Sequence, residues 1–588
     1  MRLAFIAGIS TLLLLAGLGN SAAADLPAAA PVHTAPPPIL WSWTGFYIGG
    51  HIGGASGITS FSDPFGSSIF GDKVRTPGFL AGGQIGYDWQ APSSNFVLGV
   101  ETDISGFDSE GTSTCFAFSA NAINSTCRVR PEVAATLTGR LGVAVGPSGH
   151  SLLYVKGGAA WANGTVDTAS NNDLVGFSGP NITSSTGNIS NWGWTVGAGW
   201  EYALAPAWSL KVEYDYLSIG SVDVTNLGSA IINPSTGGTV ATIPPAISSV
   251  SQNTHELKLG LNYRWGADPL AQWNGYPSPS PVKALPAVWA AGWEIEGGGR
   301  YMYSWSQFHK DFGQFTSSGF PSISAVSRMT YDDMRTNSGE FFARLDSPWN
   351  FFVKGFIGGG QTDGGHLNDE DFNISFGSPF PIAAYSNTLS SKVTGDISYG
   401  VIDAGYDFLR GPGYKVGGFA GYFYTKQNIN AFGCTPIANV NCIPAIQTSG
   451  SPNITESDTW QALRMGVVGD VMLFDRVKVS GEVAYLPYMT FSGIDHHFFG
   501  NTGQLAETFP ETGRNGSGVQ LEAIVSYYIT PQFSVGVGGR YWALWTRDGS
   551  TNETFLFPNA VNTQPQFFRA TVEEAGVFAQ AAYKFSAP

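Results

Sequence analysis

Two short stretches carry residue types that could activate a water molecule. Gly364–Asn373 reads Gly-Gly-His-Leu-Asn-Asp-Glu-Asp-Phe-Asn and places Asp369 and Asp371 at i and i+2. Phe491–Gly500 reads Phe-Ser-Gly-Ile-Asp-His-His-Phe-Phe-Gly and places Asp495 and His497 at the same spacing. In a strand, i and i+2 share a face. Two carboxylates facing an Asp–His pair across a cavity could hold a water and take its proton. A neutral imidazole is a general base near physiological pH, and an aspartate two residues away could orient it. Two close carboxylates raise each other's pKa, so one of them can stay protonated and donate a hydrogen bond. Two plainer readings stand beside this one: solvated acidic loop tips, and a metal site built from the same Asp and His side chains.

Such a site needs a scaffold that brings distant strands together. The chain has 588 residues, which predicts two domains. Only 12% of residues are charged, aromatics make up 13%, and there are 76 glycines. Outside the N-terminus no apolar run reaches the roughly 20 residues a membrane helix needs. Rich glycine and aromatic content with alternating apolar positions instead suits transmembrane β-barrels. The net charge of −15 disfavours nucleic acid as a partner and allows cationic ones. Residues 1–24 read as a secretory signal, with Arg2, the apolar Leu12–Leu15 and a small-residue cleavage site at Ala22-Ala23-Ala24. An Ala/Pro-rich lead follows over 25–39.

Residues 40–266 predict eight strands, near 44–58, 78–90, 96–106, 135–146, 152–166, 192–204, 208–222 and 254–266. Trp208, Leu210, Val212, Tyr214 and Tyr216 alternate with Lys211, Glu213 and Asp215. An eight-stranded barrel is filled by its own side chains. Glu101, Asp103, Arg140, Lys156, Lys211, Glu213, Asp215, Lys258 and Arg264 are therefore expected to form an internal charge network, because buried charges must pair. The segments Trp43–Gly50, Gly82–Tyr87 and Leu259–Trp265 resemble the small porin-family outer-membrane barrels of alpha-proteobacteria. No catalytic residues come with that resemblance.

Residues 267–288, with Tyr276-Pro277-Ser278-Pro279-Ser280-Pro281, read as a semi-rigid linker expected on the periplasmic side. Ten strands are predicted over 289–588, near 289–308, 338–347, 351–366, 392–410, 414–431, 459–474, 477–494, 517–531, 533–548 and 571–585. The fold class is thus all-β, two transmembrane antiparallel barrels in tandem, of eight and then ten strands. The aromatic-ending last strand, Val577–Phe585, resembles the signal by which barrel-assembly machinery recognises its clients. In the seventh of the ten strands Val479, Val483 and Tyr485 look lipid-facing, and Asp495 shares their parity. A slip near Pro487 or Gly493 is needed to turn Asp495 inward.

The second half resembles the omptin family of ten-stranded outer-membrane endopeptidases. The resemblance rests on Gly364-Gly365 with Asp369-Glu370-Asp371, and on Asp495-His496-His497. It implies a water between an aspartate pair and an Asp–His dyad. His497 then has the base role, Asp495 the orienting role, and Asp369 and Asp371 the water-positioning role. It implies a peptide or protein substrate, an outward-facing site, no cofactor, and lipopolysaccharide held by outward basic residues, for which Lys426 is the candidate. The sequence departs from the family in specificity. The first strand, Tyr301–Ser306, lacks the family's acid, and Gly493 stands where the second acid would be. Asp332, Asp333 and Glu370 remain as possible attractors of cations. A rival reading from another class is a non-enzymatic porin or adhesin whose omptin-like motifs no longer act.

The four cysteines form two close pairs, Cys115/Cys127 and Cys434/Cys442, in Ser/Thr/Asn-rich segments. Export predicts two local disulfides in long loops. Metal binding is the weaker reading, since neither pair has the usual zinc-ligand spacing and no His cluster adjoins them.

Overall fold

A computed structural model describes residues 41–265 and 292–586, less short stretches of which the longest are 172–183 and 439–449. Every regular element among the described residues is a β-strand. The signal, the lead and the linker lie outside the described residues.

The first sheet closes on itself through eight strands: β1 (Gly45–Phe61), β2 (Lys73–Gln90), β3 (Phe96–Ser109), β4 (Ser125–Val145), β5 (Ser151–Ser170), β6 (Asn191–Ala205), β7 (Trp208–Asn226) and β8 (Ala246–Trp265). Each pairs antiparallel with its chain neighbours, and β8 returns to β1 with Phe46 opposite Trp265. Several strands run beyond their predicted ends. Closure removes every edge, and alternation sends one face outward and one into the lumen. Phe96, Leu98 and Val100 point out and are more than half or half exposed, while Glu101 and Asp103 point in and are buried. The lumen is filled by paired charges. Lys156 Nζ donates to Glu213 at 2.8 Å, Lys258 Nζ to Asp215 at 3.0 Å and Asp103 at 3.1 Å, and Arg264 Nη2 to Asp88 and Glu201 at 2.8 Å each. Arg140 Nη2 reaches Glu201 at 2.8 Å.

The second sheet closes through ten strands: β9 (Glu294–Phe315), β10 (Pro321–Asp346), β11 (Phe351–Asp363), β12 (Lys392–Gly411), β13 (Tyr414–Phe432), β14 (Ile454–Leu473), β15 (Val477–Phe498), β16 (Leu505–Tyr528), β17 (Phe533–Trp545) and β18 (Ala560–Ser586). Its outer face carries an apolar band that includes Phe341, Ile357, Ile402 and Val537, with Tyr301 and Tyr488 toward one end. Inside the band the lumen holds ion pairs such as Arg300–Glu340 at 2.9 Å and Arg540–Glu340 at 2.7 Å. Beyond the band an apolar plug fills the lumen, with Met302, Phe308, Met329, Tyr331, Trp460, Phe491 and Phe568 among its members. Past the plug the strands continue into a wall that carries the candidate site.

The barrels touch along their outer faces. Leu210 and Leu259 of the first pack in one cluster with Val471, Val483, Val519 and Leu521 of the second. Phe79 stacks on Tyr485 with ring centroids 4.3 Å apart.

Cys115 and Cys127 are disulfide-bonded with Cα atoms 5.9 Å apart. They do not lie in loops. Cys115 ends a short strand, Gly111–Cys115, that pairs with the start of β4, and both sulfurs are buried in a small core that caps the first barrel. The Ser/Thr-rich composition hid this ribbon because small polar residues also suit an extended edge. Cys434 is disulfide-bonded too, while Cys442 lies outside the described residues.

Candidate active site

Four local irregularities aim the site. In β15, Lys478 and Glu482 face the lumen, where they meet Glu296 and Arg464. Even-numbered residues are therefore inward there, and regular pairing would send Asp495 and His497 outward. The register slips between Leu486 and Met489, and Pro487 and Tyr488 are exposed. One extra residue in the strand inverts the alternation. Met489, Phe491, Gly493, Asp495 and His497 then face in. Asn515, with φ 54°, marks a matching irregularity in β16 and turns Glu507, Phe509 and Glu511 inward.

The aspartate pair is turned the same way. β11 stops at Asp363, and the strand resumes as His366–Ser375 after Gly364 (φ 114°) and Gly365 (φ 92°). A Cβ at Gly365 would lie 2.6 Å from the Asp332 carbonyl oxygen, so two constraints select glycine there. On the neighbouring strand Asp333 has φ 53°. Pairing across the break stays in step, Thr336 with Thr362 and then Asp332 with His366, so both strands invert together. Glu340 faces in below the break, whereas Met329, Leu367, Asp369 and Asp371 face in above it. Glu370 and Arg328 face away.

These inversions put the two predicted pairs into one electrostatic cluster beyond the apolar band. His497 Nε2 lies 3.3 Å from Asp495 Oδ2, and its Nδ1 lies 3.7 Å from Glu507 Oε2. Burial works against a charged imidazole, but Asp495, then Glu507 and Asp369, overcome it and push His497 up to about 10. The neutral imidazole expected from an ordinary histidine is therefore not the form these surroundings favour. Burial pushes Asp369 up to about 6 against the pull of His497. Burial and the charge of Asp369 drive Asp371 well above the usual carboxylate range. Asp495 is held down at about 2, because Lys310 and then His497 outweigh the effect of its burial. These surroundings favour an ionised Asp495 and an imidazolium, and they favour the neutral carboxyl more at Asp371, buried beside the Asp369 charge, than in an isolated aspartate.

Lys310 is the residue that sequence reasoning missed. It pairs with Met329, which pairs with Asp369, so the three occupy adjacent inward rungs. Its Nζ, fully buried, donates to Asp495 Oδ2 at 3.0 Å and Glu511 Oε1 at 2.9 Å, and also contacts Glu456. Its signal in the sequence was a lone lysine sharing one strand face with Phe308 and Phe312. Glu456, Asp495 and Glu511 come close enough to hold a metal ion, but the ammonium already sits among them and supplies the cation. Gly493 lies beside this group: a Cβ there would stand 3.2 Å from both Glu456 Oε1 and Glu511 Oε2.

Other expected positions resolve differently. Glu370 is fully buried against the first barrel, not exposed to attract cations. His309 Nε2 lies 3.2 Å from Asp311 Oδ1 and its Nδ1 2.9 Å from Thr330 Oγ1. His51 is buried in the first lumen between Gln84 and Ser105. Lys426 is exposed on β13, on the outward parity shared with Tyr422.

Comparison with known proteins divides the chain at the same joint. The family model described as outer membrane protein beta-barrel domain matches residues 10–265, and the Omptin family model matches residues 351–573. The 31 kDa outer-membrane immunogenic protein of Brucella melitensis biotype 1 is 30% identical over 253 residues, covering 41% of this chain and 88% of that protein. The 22 kDa outer membrane protein of Rhizobium leguminosarum bv. viciae is 30% identical over 184 residues, covering 31% of this chain and 67% of that one. Among solved structures, the Escherichia coli outer membrane protease OmpT aligns with 50% of this chain and 97% of its own, at 14% identity and a TM-score of 0.39. The chain is an outer-membrane protein that belongs through its first half to the outer-membrane β-barrel family and carries an omptin-family domain in its second.

Proposed function

We propose that the second barrel is an endopeptidase whose site opens on the cell exterior and cleaves exposed peptides or proteins. The observation that carries this reading is the convergence of Asp369, Asp371, Asp495 and His497 on one inward-facing cluster within the omptin-family domain. Each is aimed there by a strand irregularity with no evident structural purpose of its own. Bulges that re-aim side chains are typical beside active sites.

The chemistry follows from where the protons sit. A water between Asp369 and His497 would meet a carboxylate with a pKa near 6, well matched to accept its proton at neutral pH. Asp371, whose neutral form is favoured by burial and by the charge of Asp369, would steady that carboxylate by a hydrogen bond. The attacking oxygen would then add to the peptide carbonyl. His497, an imidazolium backed by Asp495, would stabilise the developing negative charge and protonate the departing amine. This exchanges the base role expected for His497 with the positioning role expected for the aspartates. The apolar plug below the site excludes water, which strengthens every charge interaction above it.

Specificity would arise from Glu507 and Glu553. Both are partly exposed; burial raises each, with Asp495 adding to the rise of Glu507 and Glu507 adding to that of Glu553, while His497 pulls both down. The triad of Glu456, Asp495 and Glu511 already holds the Lys310 ammonium and lies buried, away from a substrate cation. Lipopolysaccharide would contact the outward face at Lys426.

The test is peptide-library turnover by refolded full-length protein with lipopolysaccharide present. Cleavage that disappears in folded His497→Ala and Asp369→Asn supports the reading. A wild-type protein that cleaves nothing under these conditions favours the non-enzymatic porin or adhesin reading.

A further inference from the structure

The face of the catalytic strand that points away from the site is held by the other barrel. Arg328 lies opposite Glu370, between the Met329–Asp369 and Ser327–Asp371 pairs. Its guanidinium is 1% exposed and makes three hydrogen bonds. Nε donates to Asp311 Oδ1 at 2.6 Å, Nη1 to Thr114 Oγ1 at 2.5 Å and Nη2 to Thr126 Oγ1 at 3.1 Å. Thr114 and Thr126 belong to the first barrel. They are direct cross-strand partners in the ribbon closed by the Cys115–Cys127 disulfide. Thr112 of the same ribbon donates to Asp311 Oδ2 at 2.5 Å. Two of the three guanidinium contacts, and a partner for the third, thus come from one covalently closed hairpin.

The segment needs such support. Below the break, β11 is held between β10 and β12, but His366–Ser375 has left the ring on its far side. There, among the described residues, it pairs with the short strand Ile382–Leu389, whose own far side meets only the four-residue strand Thr435–Ala438. Flanking contacts extend the seam. Asn171 Oδ1 accepts from the Ala325 amide at 2.8 Å, Ser324 Oγ donates to the Ser170 carbonyl at 2.8 Å, and Arg569 Nη1 donates to Glu110 at 2.9 Å. Ala117 of the first barrel packs with Phe372 and Tyr385.

We infer that the disulfide-closed hairpin of the first barrel is a positioning element for Asp369 and Asp371, acting through Thr114, Thr126 and Arg328 on the back of their strand. The inference rests on the endopeptidase reading of the site. A catalytic pair on a strand that has left its ring can drift, and a displacement of about 1 Å can cost about 10²-fold in rate. The first barrel would then be a built-in partner of the second.

The experiment compares full-length wild type with Thr114→Val, Thr126→Val and the double variant. The corresponding serine variants keep the hydroxyls. Peptide turnover and amide hydrogen exchange over 366–372 are measured on each, with heat-modifiable migration as the folding control. The double valine variant should lose about tenfold or more in kcat with KM within about twofold, and exchange over 366–372 should accelerate. The serine variants should restore both. Wild-type kcat and wild-type exchange in a folded valine variant would overturn the inference, as would serine variants as impaired as the valines. If the double variant does not fold, the single variants decide by the same two readouts. If wild type cleaves nothing, the endopeptidase reading fails by itself, and exchange over 366–372 still decides whether the hairpin holds the strand.

Discussion

Lys310 Nζ lies 3.0 Å from Asp495 Oδ2, the oxygen that His497 Nε2 also approaches at 3.3 Å. One carboxylate oxygen therefore sits between a buried ammonium and the imidazole of the site. Lys310 keeps Asp495 ionised, and ionised Asp495 keeps His497 protonated. A residue on the first strand of the second barrel thus sets the charge state of a residue on the seventh.

Removing that ammonium leaves Asp495, Glu456 and Glu511 buried without their cation. Breaking a buried ion cluster by deleting one partner typically costs about 3–5 kcal/mol. Lys310→Met should lower thermal stability by an amount of that order, read by the temperature at which heat-modifiable migration is lost. A Lys310→Met variant that melts with wild type would show that the cluster is solvated, not buried.

The pH dependence has two limbs. Asp369 is raised to about 6 and His497 to about 10. With an ionised Asp369 and a protonated His497 as the working form, kcat/KM should rise through about pH 6 and fall through about pH 10. Glu507 raises both groups, so Glu507→Gln should move both limbs to lower pH. The sign for stability follows from the same shifts. The His497 contribution is fully present below its ordinary value of 6.5 and is lost as pH rises toward 10. The Asp495 contribution is present above 3.8 and is lost as pH falls toward 2. Limbs that stay put or move upward in Glu507→Gln would contradict this electrostatic account.

The bulge at Pro487 offers a geometric test. Deleting Pro487 removes the extra residue, and an unbroken ladder would turn Asp495 and His497 to the outer face. The variant should keep its barrel, because the ladder below Leu486 is untouched, yet lose at least about 10²-fold in turnover. A folded deletion variant that cleaves at the wild-type rate would show that the inward aim of these residues is irrelevant.

Much of the architecture could be read from alternation. Leu210, Val212 and Tyr214 against Lys211, Glu213 and Asp215 made β7 legible. The rule concerns a residue and its next-but-one neighbour, so it survives without knowledge of the fold. The slip that turns Asp495 inward was legible because its parity clashed with Val483 and Tyr485. The paired inversion at Asp333 and Gly364-Gly365 was not. Its cue, two glycines before the aspartates, also fits an ordinary turn, and the positive φ of Asp333, beside the break in the neighbouring strand, has no cue in its own residue type. Lys310 and the Arg328 seam were hidden for a different reason. Their partners lie on strands that only closure and barrel–barrel packing bring near, and local spacing carries no trace of that.

The most direct measurement of the central claim is turnover of a peptide library by wild type and by Asp369→Asn, Asp371→Asn, Asp495→Asn and His497→Ala. Lipopolysaccharide is present, and each variant is shown to be folded by heat-modifiable migration. A positioned acid or base contributes about 10²–10⁴-fold, so Asp369→Asn and His497→Ala should each fall by that factor. Combining them should cost less than the product of the single losses, since groups acting as a unit are not additive. Cleavage by wild type that all four folded variants match would place the chemistry elsewhere and contradict the account.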